Sequence, residues 1–130
     1  MARLFPFEQT ILRTVESVLP PEQRSKYSEQ VAHINKVQRL LEWNEIEFYC
    51  KRWFKIRWPP DILFGNRSEF ELGSGTLTTS GASARVKVWS VSGHVFSIES
   101  HKPLKAFCMA EDAAFVLDAP FVAESAFASR

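Results

Sequence analysis

The sequence predicts an α+β fold: two N-terminal helices, forming a helical hairpin, packed on a mostly antiparallel sheet of four to six strands. A Phe/Ala-rich C-terminal tail follows. Three observations carry this. Apolar residues recur at helical spacing before residue 35. They alternate with period two over residues 46–58 and again over 85–100. Prolines at 6, 20, 21, 59, 60 and 103 punctuate the segments.

The first helix is read from Phe7, Ile11, Leu12, Val15, Val18 and Leu19, which form one stripe. Pro6 suits the first turn, where its missing N–H has no partner to lose. Pro20 and Pro21 stop that helix and let the next begin, with Glu22 in the first turn where negative charge is favoured. Tyr27, Val31 and Ile34 mark the buried side of the second helix. Asn35 ends it, Lys36 to Leu41 begins the sheet, and Asn44 turns the chain into the next strand.

Ile46 to Trp58 shows the clearest strand pattern. Even positions give Ile46, Phe48, Cys50, Phe54, Ile56 and Trp58, interrupted by Arg52. Thirteen residues in one strand would span ~43 Å, so a bulge or break is expected near Arg52. In residues 61–84, Phe70 and Leu72 alternate with Glu69 and Glu71 as in a short strand or helical turn, and the Gly- and Ser-rich residues 73–84 read as a flexible loop with a weak strand at Thr76–Thr79. Arg85 to Ser100 reads as a hairpin. A three-residue loop, Val91-Ser92-Gly93, pairs Val88 with Phe96, Val86 with Ile98 and Arg85 with Glu99, and leaves Val95 facing outward. Pro103 closes that strand. The tail holds Phe107, Phe115, Phe121 and Phe127, with a short helix expected near Glu111–Leu117. Four rings are expected to pack on the domain or on a partner.

A chain of 130 residues is one domain in size. It divides into the helical hairpin (1–35), the sheet (36–103) and the tail (104–130). Net charge is +1, which points at no class of partner, but its distribution is uneven: −1 over residues 1–50, +5 over 51–105 and −3 over 106–130. Cys50 and Cys108 fit no zinc or redox spacing and are expected as free thiols. The first residues lack a signal-peptide core and no stretch reaches ~18 apolar residues, so a cytoplasmic location and no membrane partner are expected.

No catalytic constellation is legible. His33, His94 and His101 are too scattered for a metal site. Cys50 lies among apolar neighbours, where a thiol stays inert. Asp61, Glu69 and Glu71 are expected as solvated charges. Gly73, Gly75 and Gly81 are followed by no lysine at phosphate-loop spacing. No catalytic residue, metal or cofactor is therefore assigned.

What remains is a candidate contact face. Tyr49, Lys51, Trp53, Lys55 and Arg57 fall on the odd, outward side of one strand, and Arg85, Lys87 and Trp89 point outward from the hairpin. Rings interleaved with cations suit another protein as partner. The expected function is a non-catalytic, protein-binding module of the bacterial adaptor or toxin-immunity type, by analogy alone. Two alternatives stand: a small-molecule pocket or enzyme between helices and sheet, and single-stranded nucleic-acid binding on the same face. A homo-oligomer is compatible with all of them.

Overall fold

The computed structural model describes residues 3–118 and 122–129. Helix α1 spans Pro6–Val18 and α2 spans Pro21–His33. Strand β1 runs Lys36–Leu40, β2 Glu45–Tyr49, β3 Lys51–Arg52, β4 Lys55–Ile56, β5 Phe70–Thr79, β6 Ala82–Val91, β7 His94–Ser100 and β8 Ala114–Leu117. Six strands form one antiparallel sheet in the order β1-β2-β7-β6-β5-β8. Strands β3 and β4 form a separate two-stranded ribbon. Two helices on a six-stranded antiparallel sheet make this an α+β domain, as the residue pattern predicts.

The two helices dock by different means. Helix α1 buries Phe7, Ile11, Leu12 and Val15, the apolar stripe read from its spacing. At its start, the Phe5 amide donates to Glu8 Oε1 at 2.8 Å, satisfying one donor that no helix carbonyl can reach. Helix α2 buries Gln23, Tyr27 and Gln30. Tyr27 donates its hydroxyl to the Leu12 carbonyl at 2.8 Å. Gln30 is fully buried: its amide donates to the carbonyls of Ile62 at 2.7 Å and Gly93 at 3.1 Å, and its oxygen accepts from the Val95 amide at 2.9 Å. An amide group inside the core is stable only when its donors and acceptor are matched in this way.

Between the layers, Phe7, Ile11, Val15, Ile46, Phe48, Leu77, Val88, Val95 and Ile98 are all essentially inaccessible to water. The other face of the sheet is left to solvent, which is the usual arrangement for an antiparallel sheet.

Four expectations need correction. First, residues 46–58 are not one strand. The chain leaves β2 at Tyr49 and folds back on itself between Arg52 and Lys55. The expected break near Arg52 is there, as a complete reversal. Second, residues 73–84 are not a flexible loop. Residues 73–79 lie in β5, which contains the expected strand at Thr76–Thr79, and 82–84 lie in β6, paired in register from Gly73↔Val88 to Thr79↔Ala82 across a turn at 80–81. Glycine is selected at position 75 by the approach of β8: a Cβ there would meet the Val116 carbonyl oxygen at 2.2 Å. Third, the β6–β7 hairpin turns on two residues, Ser92 and Gly93, both at positive φ, with Val91 opposite His94. A bulge beyond Trp89 then shifts the register, so that Lys87 faces Glu99 and Val88 faces Ile98. Val95 consequently points into the core, fully buried, and Arg85 is not opposite Glu99. Fourth, the segment near Glu111–Leu117 is strand β8, not a helix.

Three of the four tail phenylalanines, Phe107, Phe115 and Phe127, are core members; Phe121 lies outside the described residues. Asn66 fastens the tail. Its amide N–H donates to the Phe127 carbonyl at 2.8 Å and its side chain donates to the Ala126 carbonyl at 2.7 Å.

Candidate functional site

The eight residues of the expected contact face fall into two groups. Tyr49, Arg85, Lys87 and Trp89 lie on the open face of the sheet. Lys51, Trp53, Lys55 and Arg57 belong to the β3–β4 ribbon and the residue beyond it.

On the sheet face the cations are already matched. Arg85 donates to both carboxylate oxygens of Asp118, one at 3.0 Å, and to the Thr76 hydroxyl at 2.8 Å. That contact holds the Asp118 carboxyl below its ordinary range. Lys87 Nζ lies 4.0 Å from Glu71 and 5.9 Å from the centroid of the Trp89 ring. The Trp89 indole donates to Glu99 at 3.3 Å. Tyr49 packs edge-on against Phe96 at 5.6 Å and donates to Glu47 at 2.6 Å. Burial, together with Glu47 and Glu45, pushes the Tyr49 hydroxyl up to about 12. Glu45 is raised by burial and then by Glu47, Glu99 and Glu69. The rings on this face thus sit among carboxylates. The interleaved cations of the sequence reading are there, but paired.

The ribbon differs in kind. Its turn residues are Trp53 and Phe54, both at positive φ (52° and 70°). Two positive-φ residues give the tight hairpin turn that matches strand twist, but Asn and Gly are the residues that adopt it cheaply. An L side chain in the left-handed region costs roughly 1–2 kcal/mol. Nothing in the fold offsets that by burial: Trp53 is 89% exposed and Phe54 93% exposed. Ile56, behind them, is 51% exposed. The sequence reading turned Phe54 and Ile56 inward with Phe48, and the structure corrects this. A two-residue turn reverses the parity of the alternation. Lys51 lies opposite Ile56, and Arg52 opposite Lys55, so Lys51 and Lys55 sit on opposite sides of the ribbon.

The base of the ribbon is fixed by Asn35. Its side chain accepts from the Lys51 amide at 2.7 Å and donates to the Lys51 carbonyl at 2.9 Å. Across the ribbon, the Arg57 amide donates to the Cys50 carbonyl at 2.7 Å. Trp58 then re-enters the core and stacks on His94 at 4.1 Å. Cys50 is a buried free thiol. The ribbon is therefore a finger rooted in the domain at both legs.

Two open hollows border Trp53. One is lined by Asn35, Lys36, Lys51, Trp53 and Phe54. The other is lined by Arg52, Trp53, Arg57, Trp58, Pro59 and Pro60. Each presents two cations and no carboxylate. From Lys51 to Arg57 the chain carries four basic residues and no acidic one. None of the four appears in an ion pair among the described residues. Arg52, Lys36, Phe54 and Ile56 are the members of this site that the sequence reading missed. The missing signal is turn chemistry, because Trp-Phe does not announce a reversal.

No group of three or more His, Cys, Asp or Glu among the described residues could hold a metal ion. No helix among them is long and apolar enough to cross a membrane.

Fold and finger together define a class: a two-layer α+β domain with one bare sheet face and a cationic, aromatic ribbon projecting from it. No protein-family model, curated protein or solved structure gives a significant match to the chain.

Proposed function

We infer that this protein is a non-catalytic docking module whose contact element is the β3–β4 finger and whose partner presents negative charge. The observation that carries the reading is Trp53 beside Phe54, almost wholly exposed at the apex of a ribbon with only basic charges. Aromatic residues with arginine are the side chains that most often anchor a contact. Their placement here costs backbone strain that the fold does not recover, and such strain collects at functional positions. Three partners share the required chemistry: an acidic protein segment, which the sequence reading places first, a nucleic-acid single strand, and an anionic lipid surface. Against the pocket alternative, the core side chains named above lie buried between helices and sheet.

The test is retention of the full chain on immobilised polyglutamate and on heparin as salt is raised. Lys51→Glu with Lys55→Glu should abolish retention. Trp53→Ala with Phe54→Ala leaves the charge unchanged and should still weaken it severalfold. Wild-type retention of the ring variant would mean that plain charge, not a docking finger, does the binding, and the reading would fall.

A further inference from the structure

We propose that the finger is an interfacial membrane anchor: Trp53 and Phe54 enter the headgroup–acyl boundary of an anionic bilayer while the flanking cations engage lipid phosphates. This rests on the docking reading above and names the partner for it.

Apolar and basic side chains are ordered along the finger. The rings form the apex. Lys51, Arg52, Lys55 and Arg57 stand one to three residues behind them on the two legs. At strand rise, the rings lead the nearest cations by about 3–7 Å. Side chains that lie in a bilayer interface reach about 5–10 Å into it, with basic groups behind at phosphate level. The finger has both the sequence of polarity and the depth. Ile56, half-exposed behind the rings, continues the apolar tip on one side.

The hollows add a second element. Lys36 with Lys51 on one flank of Trp53, and Arg52 with Arg57 on the other, give two separate places for a phosphate group. Strand alternation puts Lys51 and Arg52 on opposite flanks, and the reversal at the turn brings Arg57 to the side of Arg52. A finger lowered into a lipid surface meets headgroups on all sides, so cations are useful on both.

The competing partners fit less well. A nucleic-acid single strand needs a groove that follows its backbone and a series of stacking rings. Two rings on a convex tip offer a single step and no groove. A stable protein complex buries on the order of 1,200 Å² or more. A two-residue apex reaches that only inside a deep cleft of the partner. A bilayer deforms around a convex tip and asks for no complementary shape. The expectation of no membrane partner follows from the lack of a spanning segment, and an interfacial anchor needs none.

The experiment is co-sedimentation of the full chain with phosphatidylcholine vesicles, with and without about one-third phosphatidylserine, at two salt concentrations. Binding should require the anionic lipid and weaken as salt rises. Trp53→Ala with Phe54→Ala, and separately Lys51→Glu with Lys55→Glu, should each lower partitioning by roughly tenfold or more. All four positions are exposed, and unchanged circular dichroism will confirm that the variants fold. Lipid brominated near the headgroup should quench tryptophan emission in wild type and not in Trp53→Phe. Binding that survives both double substitutions would place the contact elsewhere and overturn the proposal. Failure to bind vesicles, with polyglutamate or oligo(dT) still captured by the finger, would overturn the lipid assignment and leave the docking reading standing. Failure with every probe would remove both.

Discussion

Arg39 holds Glu8 by both carboxylate oxygens, Nη2 to Oε1 at 2.7 Å and Nε to Oε2 at 2.9 Å, with Glu8 completely buried. The same guanidinium lies 4.8 Å from the Phe5 ring centroid and 4.9 Å from that of Trp43. One side chain of β1 thereby ties down the first turn of α1. Removing only the cation would strand a charge in the core, whereas two apolar side chains of similar volume would leave only the Phe5 amide without its acceptor. Arg39→Met alone should cost about 3–5 kcal/mol in urea denaturation, and Glu8→Leu with Arg39→Met should restore most of it. Equal destabilisation by the single and double variants would contradict this account.

Gly75 and Gly81 should respond in opposite ways to the same methyl group. At Gly75 a Cβ would collide with the Val116 carbonyl, while at Gly81 nothing lies within 4 Å. Gly75→Ala should cost roughly 1–3 kcal/mol and free the β8 amides to exchange with solvent. Gly81→Ala should stay within about 0.5 kcal/mol of wild type. Thermal melts and hydrogen exchange of the two variants decide the matter.

His94 stacks on Trp58 and is buried, which lowers its basicity below the usual value of 6.5. The folded state therefore binds the imidazole proton less readily than the unfolded chain. Stability from the neutral ring is present above 6.5 and is lost as pH falls below it toward the folded value. Wild type should lose stability between pH 7.5 and 5 relative to His94→Gln. Parallel curves for the two proteins over that range would count against a neutral, buried His94.

The finger should exchange stability for binding. Trp53→Asn with Phe54→Gly places at the turn the residues that accept positive φ readily. We expect a gain of about 1–2 kcal/mol in unfolding free energy together with loss of docking. A variant no more stable than wild type would show that the apex carries no strain.

How far the sequence could be read follows from what local chemistry encodes. The helices were legible because prolines sit at their boundaries and α1 carries a full apolar stripe. Strand β1 was legible because Asn35 breaks the helical pattern. Strand β5 was legible only through Thr76–Thr79: Gly73 and Gly75 answer to neighbours far along the chain, Val15, Val116 and Leu117, and composition alone makes them a loop. The β6–β7 register was missed because a bulge beyond Trp89 leaves no mark in the residues. Of the contact residues, Trp53, Lys51, Lys55 and Arg57 were found through their types. Their grouping was hidden, because alternation looks unbroken across a two-residue reversal while the faces exchange.

Phe127 nests against Phe64 at 4.9 Å and Phe70 at 5.3 Å, while Phe107 touches Phe7 at 6.1 Å. The core thus joins residues from nearly opposite reaches of the polypeptide. During synthesis the sheet strands up to β7 can pair early, but the aromatic floor stays open until the segment around Phe127 has emerged. Nascent chains halted before that point should present a greasy wound to chaperones, and the domain should mature in one late step.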